Sequence, residues 1–260
     1  MSVPVWRDTL PQAVESVLTQ THSDLEFIIG THDERIFKYV SHISDRRVLV
    51  VYWPQKLLLP DAINSLFSRA TGDYIAIIHD DDYYLPTFLE ALLAHFGGDS
   101  KRYAFVSSGF IREDKDGTRV RSTGTHPLAC LHHSVLYSHH YIDLLEGIDG
   151  IAWDNRWEMS SDTDFMYRLL ELGPGKHHND WLYIYRTYTS LYRPLYHRFQ
   201  YFLEGIEVAK RHRLEMSLVV ILRNFAFMFM QAAHYAGISW KSLGLDRIRK
   251  RVEQWDTVYT

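Results

Sequence analysis

Apolar residues at Leu10, Ala13, Val14, Val17 and Leu18 recur at helical spacing. Asp8 or Thr9 stands ahead of them as a cap, and Pro11 suits the first turn, where its missing N–H costs nothing. Residues 25–29 then read as a strand, and Ile36, Tyr39, Val40 and Ile43 mark a short helix. Residues 47–52 form a second β-branched run. Ala62, Ile63, Leu66, Phe67 and Ala70 make another helical stripe, closed by Gly72, and residues 74–78 read as a buried strand. This alternation predicts a mainly parallel α/β sheet with crossover helices.

The pattern changes after Phe96, where Gly97-Gly98 breaks the chain. Residues 103–111 and 118–122 read as strands joined by a turn at Asp116-Gly117. Residues 131–137 read as a further strand, 162–172 as a helix stopped by Gly173 and Pro174, and 181–185 as another strand. From Leu191 onward the pattern is mainly helical, which divides the chain into residues 1–190 and a helical extension, 191–260. Residues 217–238 are the most apolar stretch, but Arg223, Asn224, Gln231 and His234 interrupt it and argue against a membrane span.

Chemistry enters at Asp80-Asp81-Asp82, placed just after the buried strand and four residues before Pro86. Carboxylates crowded at the end of a buried strand repel one another and lose hydration. A divalent cation removes that penalty, and open α/β sheets hold ligands at this end of their strands. The tripeptide therefore predicts a Mg²⁺ or Mn²⁺ site for a phosphorylated ligand; a solvated acidic turn is the plainer alternative.

Composition narrows the setting. Cys130 is the lone cysteine, so no intrachain disulfide can form and a reducing, cytoplasmic compartment is expected. No charged-then-apolar leader opens the sequence. Residues 191–260 hold 11 basic and 6 acidic residues, while the other 190 hold 17 basic and 26 acidic. The basic tail suits contact with the inner face of a membrane; a solvated helix face accounts for the same balance. No nucleic-acid partner is expected. The histidine pairs at 132–133, 139–140 and 177–178 match no compact zinc spacing, so no zinc site is expected. Gly-x-Gly-x-x-Gly, Walker and Gly-x-Ser-x-Gly motifs are absent, which removes support for dehydrogenase, P-loop and serine-hydrolase classes.

Taken in order, these segments resemble family 2 glycosyltransferases of the GT-A fold. Residues 10–21, ending Ser-Val-Leu-Thr-Gln-Thr, look like the family's first helix, and 25–29 like the next strand. Residues 62–75, with Asn64 and Gly72-Asp73-Tyr74-Ile75, look like the entry to the metal motif. Asp80 through Pro86 look like the motif itself. Ser161-Asp162-Thr163-Asp164 through Arg168 is similar to the family's Glu-Asp-x-Asp-x-x-x-Arg helix start, and Tyr183-Ile184-Tyr185-Arg186 to the following strand. The resemblance implies a GT-A, Rossmann-like α/β/α domain and inverting, metal-dependent transfer from a nucleoside-diphosphate sugar to a glycan or lipid-linked acceptor, in surface polysaccharide or glycolipid assembly. It assigns Asp81 and Asp82 to the metal, and Asp80, Asn64, Thr31 and Asp33 to the donor. Asp162 becomes the general base, with Asp164 the next candidate.

Three departures stand out. Residues 2–5 supply only a stub of the family's first strand. Gly30-Thr31-His32-Asp33 replaces Asp-Asp-Gly-Ser, so Thr31 takes the base-reading position. His79 and Ser161 replace a common Asp and Glu. These departures motivate a rival, a degenerate domain that binds nucleotide or glycan without turnover. A nucleotidyltransferase of related fold is a second rival, but no Gly-rich signature follows the first strand.

Overall fold

The computed structural model describes residues 1–122, 132–158, 160–187 and 195–212. Two compact units, Met1–Ser190 and Leu191–Thr260, divide the chain. In the first unit, α1 (Leu10–Leu18) leads to β1 (Phe27–Thr31), α2 (Glu34–Ser41), β2 (Val48–Tyr52), α3 (Leu59–Phe67) and β3 (Tyr74–Ala76). Then follow β4 (Tyr83–Tyr84), α4 (Phe88–Phe96), β5 (Phe105–Glu113), β6 (Arg119–Arg121) and a 3₁₀ turn (His132–Ser134). β7 (Val135–Ser138), α5 (His139–Asp149), α6 (Ser161–Leu172) and β8 (Gly175–Arg186) complete the unit. In the second unit the described residues include α7 (Leu195–Arg211). The expected C-terminal helices beyond 212, with their proposed lipid contact, lie outside the described residues.

β1 and β2 pair in parallel, and Ser2 bridges Gly30 in parallel beside them. Residues 2–5 thus do supply a stub beside β1. The larger sheet has six strands in the order β3-β7-β5-β8-β4, with β6 beside β5. Here the expectation of mainly parallel pairing needs correcting. β5 and β8 are parallel, but β3–β7, β4–β8, β5–β6 and β5–β7 are antiparallel. The parallel βαβ rhythm ends at the acidic motif, beyond which the chain returns along its neighbours in short excursions.

Both faces of the central strands are covered. Val106, Phe110 and Leu136 pack with α1, α2 and α4 residues such as Leu10, Ile36 and Phe88. Phe105, Val135 and Tyr137, one position out of phase, pack with α3, α5 and α6 residues such as Ile63, Ile142 and Phe165. This period-two alternation makes an α/β/α sandwich and fixes the register, since a one-residue slip would exchange the faces.

Gln20 ties the first helix to the site. Its Nε2 donates to the Leu85 carbonyl at 2.8 Å, and its Oε1 accepts the Leu89 N–H at 3.0 Å. Thr87, at the start of α4, provides no side-chain cap, so Gln20 satisfies a free N–H of that helix from a distance.

Candidate active site

β3 leads through buried Ile77 and Ile78 to His79 and the three aspartates. β4 then pairs with β8, Tyr84 opposite Tyr183, which carries Arg186 alongside the acidic motif. The three carboxylates do different things.

Asp82 is buried and uses both oxygens internally. Tyr183 Oη donates to Oδ2 at 2.5 Å and the Arg186 backbone N–H to Oδ1 at 2.8 Å. Burial pushes its carboxyl up to about 7, helped by Asp81 and opposed by these two hydrogen bonds. Asp80, also buried, is pushed up to about 6, again chiefly by burial, while Arg7 pulls it down. Arg7 Nε lies 3.1 Å from Asp80 Oδ2, and Nη1 lies 3.5 Å from Asp81 Oδ2. Asp81 thus shares Arg7 with Asp80. Arg186 braces the loop: Nη1 donates to the Asp81 carbonyl at 3.1 Å, Nη2 to Gln12 Oε1, and the guanidinium lies 4.6 Å from the Tyr83 ring centre.

The donor-assigned residues are more varied. Thr31 is fully buried at the end of β1, where its Oγ1 accepts the Asp33 N–H at 3.1 Å. Asp33 caps α2, its Oδ1 accepting N–H groups of Arg35 at 2.8 Å and Ile36 at 3.2 Å. Asn64 engages both amide ends with the Trp153 backbone, each at 2.8 Å. Asp33 and Asn64 therefore both hold the fold, whatever else they contact.

Asp162 lies in the first turn of α6, where the helix dipole favours its charge. Its Oδ1 accepts the Thr163 N–H at 2.7 Å, and His132 Nδ1 lies 2.9 Å from Oδ2. Burial alone would raise this carboxyl, yet hydrogen bonds from His132 and Thr163 hold it below the usual range. Its side chain is 34% exposed. Asp164 is fully buried and pairs with Arg168 at 2.8 Å, which makes it part of the core.

Imidazoles connect the two acidic regions. The His132 ring stands 3.5 Å from that of His133, centre to centre, and His133 Nε2 lies 2.7 Å from His79 Nε2. Burial, reinforced by the neighbouring histidines, holds His79 and His133 well below the ordinary imidazole value. The sequence reading missed Arg7, His132, Tyr183 and Arg186 as site residues. The last two fall in a strand it singled out, and His132 in a pair it set aside on spacing.

A hard divalent cation fits beside the acidic motif, where His79, Asp81 and Asp82 each offer a ligand atom within 4.8 Å of the other two and two of the three donors are carboxylate oxygens. The sequence profile of glycosyl transferase family 2 matches residues 5–144, more than half of the chain. The chain belongs to glycosyl transferase family 2. Among relatives of this family, EpsE of Bacillus subtilis is 36% identical over 119 residues, covering 43% of this chain and 41% of EpsE. The UDP-Glc:alpha-D-GlcNAc-diphosphoundecaprenol beta-1,3-glucosyltransferase WfaP of Escherichia coli is 28% identical over 110 residues, 42% of this chain and 43% of WfaP. The matches thus span less than half of either relative's length. The mannosyltransferase PcManGT of Pyrobaculum calidifontis, solved with GDP-Man and Mn²⁺, superposes with a TM-score of 0.61 at 13% identity, covering 99% of this chain and 82% of PcManGT. That likeness shows the glycosyltransferase GT-A fold. Among the described residues no helix is long and apolar enough to cross a membrane.

Proposed function

We propose that this family 2 chain transfers a sugar from a nucleoside-diphosphate sugar to a hydroxyl acceptor, with inversion at the anomeric carbon. One observation carries the reading: a partly exposed, ionised Asp162 is joined through His132, His133 and His79 to the acidic motif. Such a site needs one carboxylate to take a proton and another to hold the diphosphate end. Asp162 accepts the proton of the acceptor hydroxyl as that oxygen attacks the anomeric carbon. The bond to the diphosphate breaks, and the nucleoside diphosphate leaves with its electron pair. A single displacement of this kind inverts the centre. When bound, Mg²⁺ or Mn²⁺ would offset the charge on the leaving diphosphate, with Asp81 and Asp82 as its holders. Arg7 and Arg186 keep the motif loop in place.

The printed substrates of WfaP and PcManGT, UDP-Glc and GDP-Man, support a nucleotide-sugar donor for this chain. WfaP's diphosphoundecaprenol acceptor supports a lipid-linked acceptor, and with it a role in surface polysaccharide or glycolipid assembly. A non-catalytic binding domain is the second reading, favoured by Thr31 at the base-reading position and by the use of Asp33 as a helix cap. A donor panel separates the two. Incubation of UDP- and GDP-sugars with Mn²⁺ or Mg²⁺ should release nucleoside diphosphate slowly even without acceptor. Binding of a donor with no hydrolysis and no transfer to any lipid-linked acceptor would favour the binding domain.

A further inference from the structure

We propose that His79, His132 and His133 form a nitrogen-lined site for a borderline transition-metal ion of the Zn²⁺ or Co²⁺ type, differing in donor type from the carboxylates Asp81 and Asp82 beside it. The three residues come from the end of β3 and the 3₁₀ turn before β7, and each offers a ligand nitrogen within 4.8 Å of the other two. Ring centres lie 3.5 Å apart for His132 and His133, 3.6 Å for His79 and His133, and 5.4 Å for His79 and His132.

Two features ask for a ligand. First, His132 Nε2 and His133 Nδ1 are buried without a hydrogen-bond partner among the described residues. A buried polar nitrogen without a partner is costly, and two within one cluster need an explanation. Second, His132 Nδ1 faces the Asp162 carboxylate at 2.9 Å. That contact calls for a proton on Nδ1, and in the neutral ring the lone pair then sits on Nε2. A carboxylate behind the histidine is the usual support of a metal-binding imidazole. The contact of His133 Nε2 with His79 Nε2 likewise requires one of the two to be unprotonated.

Donor type decides which ion. Imidazole nitrogens favour Zn²⁺, Co²⁺, Ni²⁺ or Cu²⁺, whereas Mg²⁺ prefers oxygen. Three nitrogens hold such an ion with one position open. His79 also lies within reach of Asp81 and Asp82, but their carboxylate oxygens suit a hard ion, which leaves the all-histidine set to the borderline one. The inference does not depend on sugar transfer, because occupancy is read directly.

The test is titration of the chelator-treated full chain with Co²⁺, followed by its visible d–d absorption, then by Zn²⁺ competition. Wild type and Asp81→Asn should show the same saturable band, bleached by Zn²⁺. His79→Asn and His133→Asn should lose it, and Asp162→Asn should bind about tenfold more weakly or worse. Circular dichroism melts accompany each variant; if His133→Asn is unfolded, the half-buried His79→Asn carries the test. No band in wild type overturns the site. So does a band that survives both histidine changes, or one lost in Asp81→Asn alone. Failure here would leave donor hydrolysis untouched, and failure of hydrolysis would leave the Co²⁺ band untouched.

Discussion

Asp82 and Asp81 are neighbours with opposite expectations. Asp82 accepts two hydrogen bonds in a buried setting, and an amide in its place can accept only through one atom. Asp82→Asn should therefore cost about 1–3 kcal/mol in a urea melt. Asp81→Asn should change stability by no more than about 0.5 kcal/mol while weakening Mn²⁺-dependent nucleotide binding by calorimetry. Asp162→Asn should keep donor binding and lower transfer by about 10²–10⁴ in kcat. Near-normal turnover in that variant would move the base elsewhere. A pH effect follows from Asp80. Its folded pKa, about 6, lies above the model-peptide value of 3.8. Between these values the native state holds a proton that the unfolded chain has released. Stability from this group is full below about pH 4 and falls as pH rises through about 6. Without divalent ion, the melting temperature of wild type should fall relative to Asp80→Asn between pH 4 and 7. A constant difference across that range would count against a raised Asp80.

At the scale of elements, the helix ending Ser-Val-Leu-Thr-Gln-Thr has a mechanical role. Gln20 satisfies the Leu89 N–H at the start of α4 and holds the Leu85 carbonyl just after the acidic motif. Gln20→Ala should cost about 1–2 kcal/mol, as loss of a helix cap does, measured by thermal or urea unfolding. A loss under about 0.3 kcal/mol would mean that water replaces the side chain freely. Other elements were harder to read. α5 buries Tyr141, Ile142 and Leu145 but leaves Leu144 and Ile148 exposed, so its apolar stripe is blurred. β8 runs from Gly175 through the polar His177-His178-Asn179-Asp180, which carries no strand pattern. Its parallel pairing with β5 makes it a strand, with register shifts on both sides of Gly109. A Cβ at Gly109 would come within 2.7 Å of the Trp181 ring, so glycine there admits the close approach.

For the whole molecule, the unit Met1–Ser190 contains both faces of the central strands and the entire candidate site. Residues 1–190 expressed alone should unfold in one cooperative step, with far-ultraviolet circular dichroism and tryptophan fluorescence coincident. Separate transitions by the two probes would show that the unit needs residues 191–260.

The order of strands and helices up to the acidic motif was legible because hydrophobic periodicity, Pro11, Gly72 and Pro86 are local signals that the backbone obeys locally. The three aspartates were legible for the same reason: their crowding is a property of adjacent residues. Long-range pairing was not. The antiparallel return of β4 and β7 depends on which strand edges are free, and that emerges only when the sheet assembles. The histidine trio joins positions 54 residues apart, and Asp82 meets Tyr183 across 101. Spacing along the chain carries no trace of either contact, because each exists only where the packed faces of the sandwich bring distant segments within bonding distance.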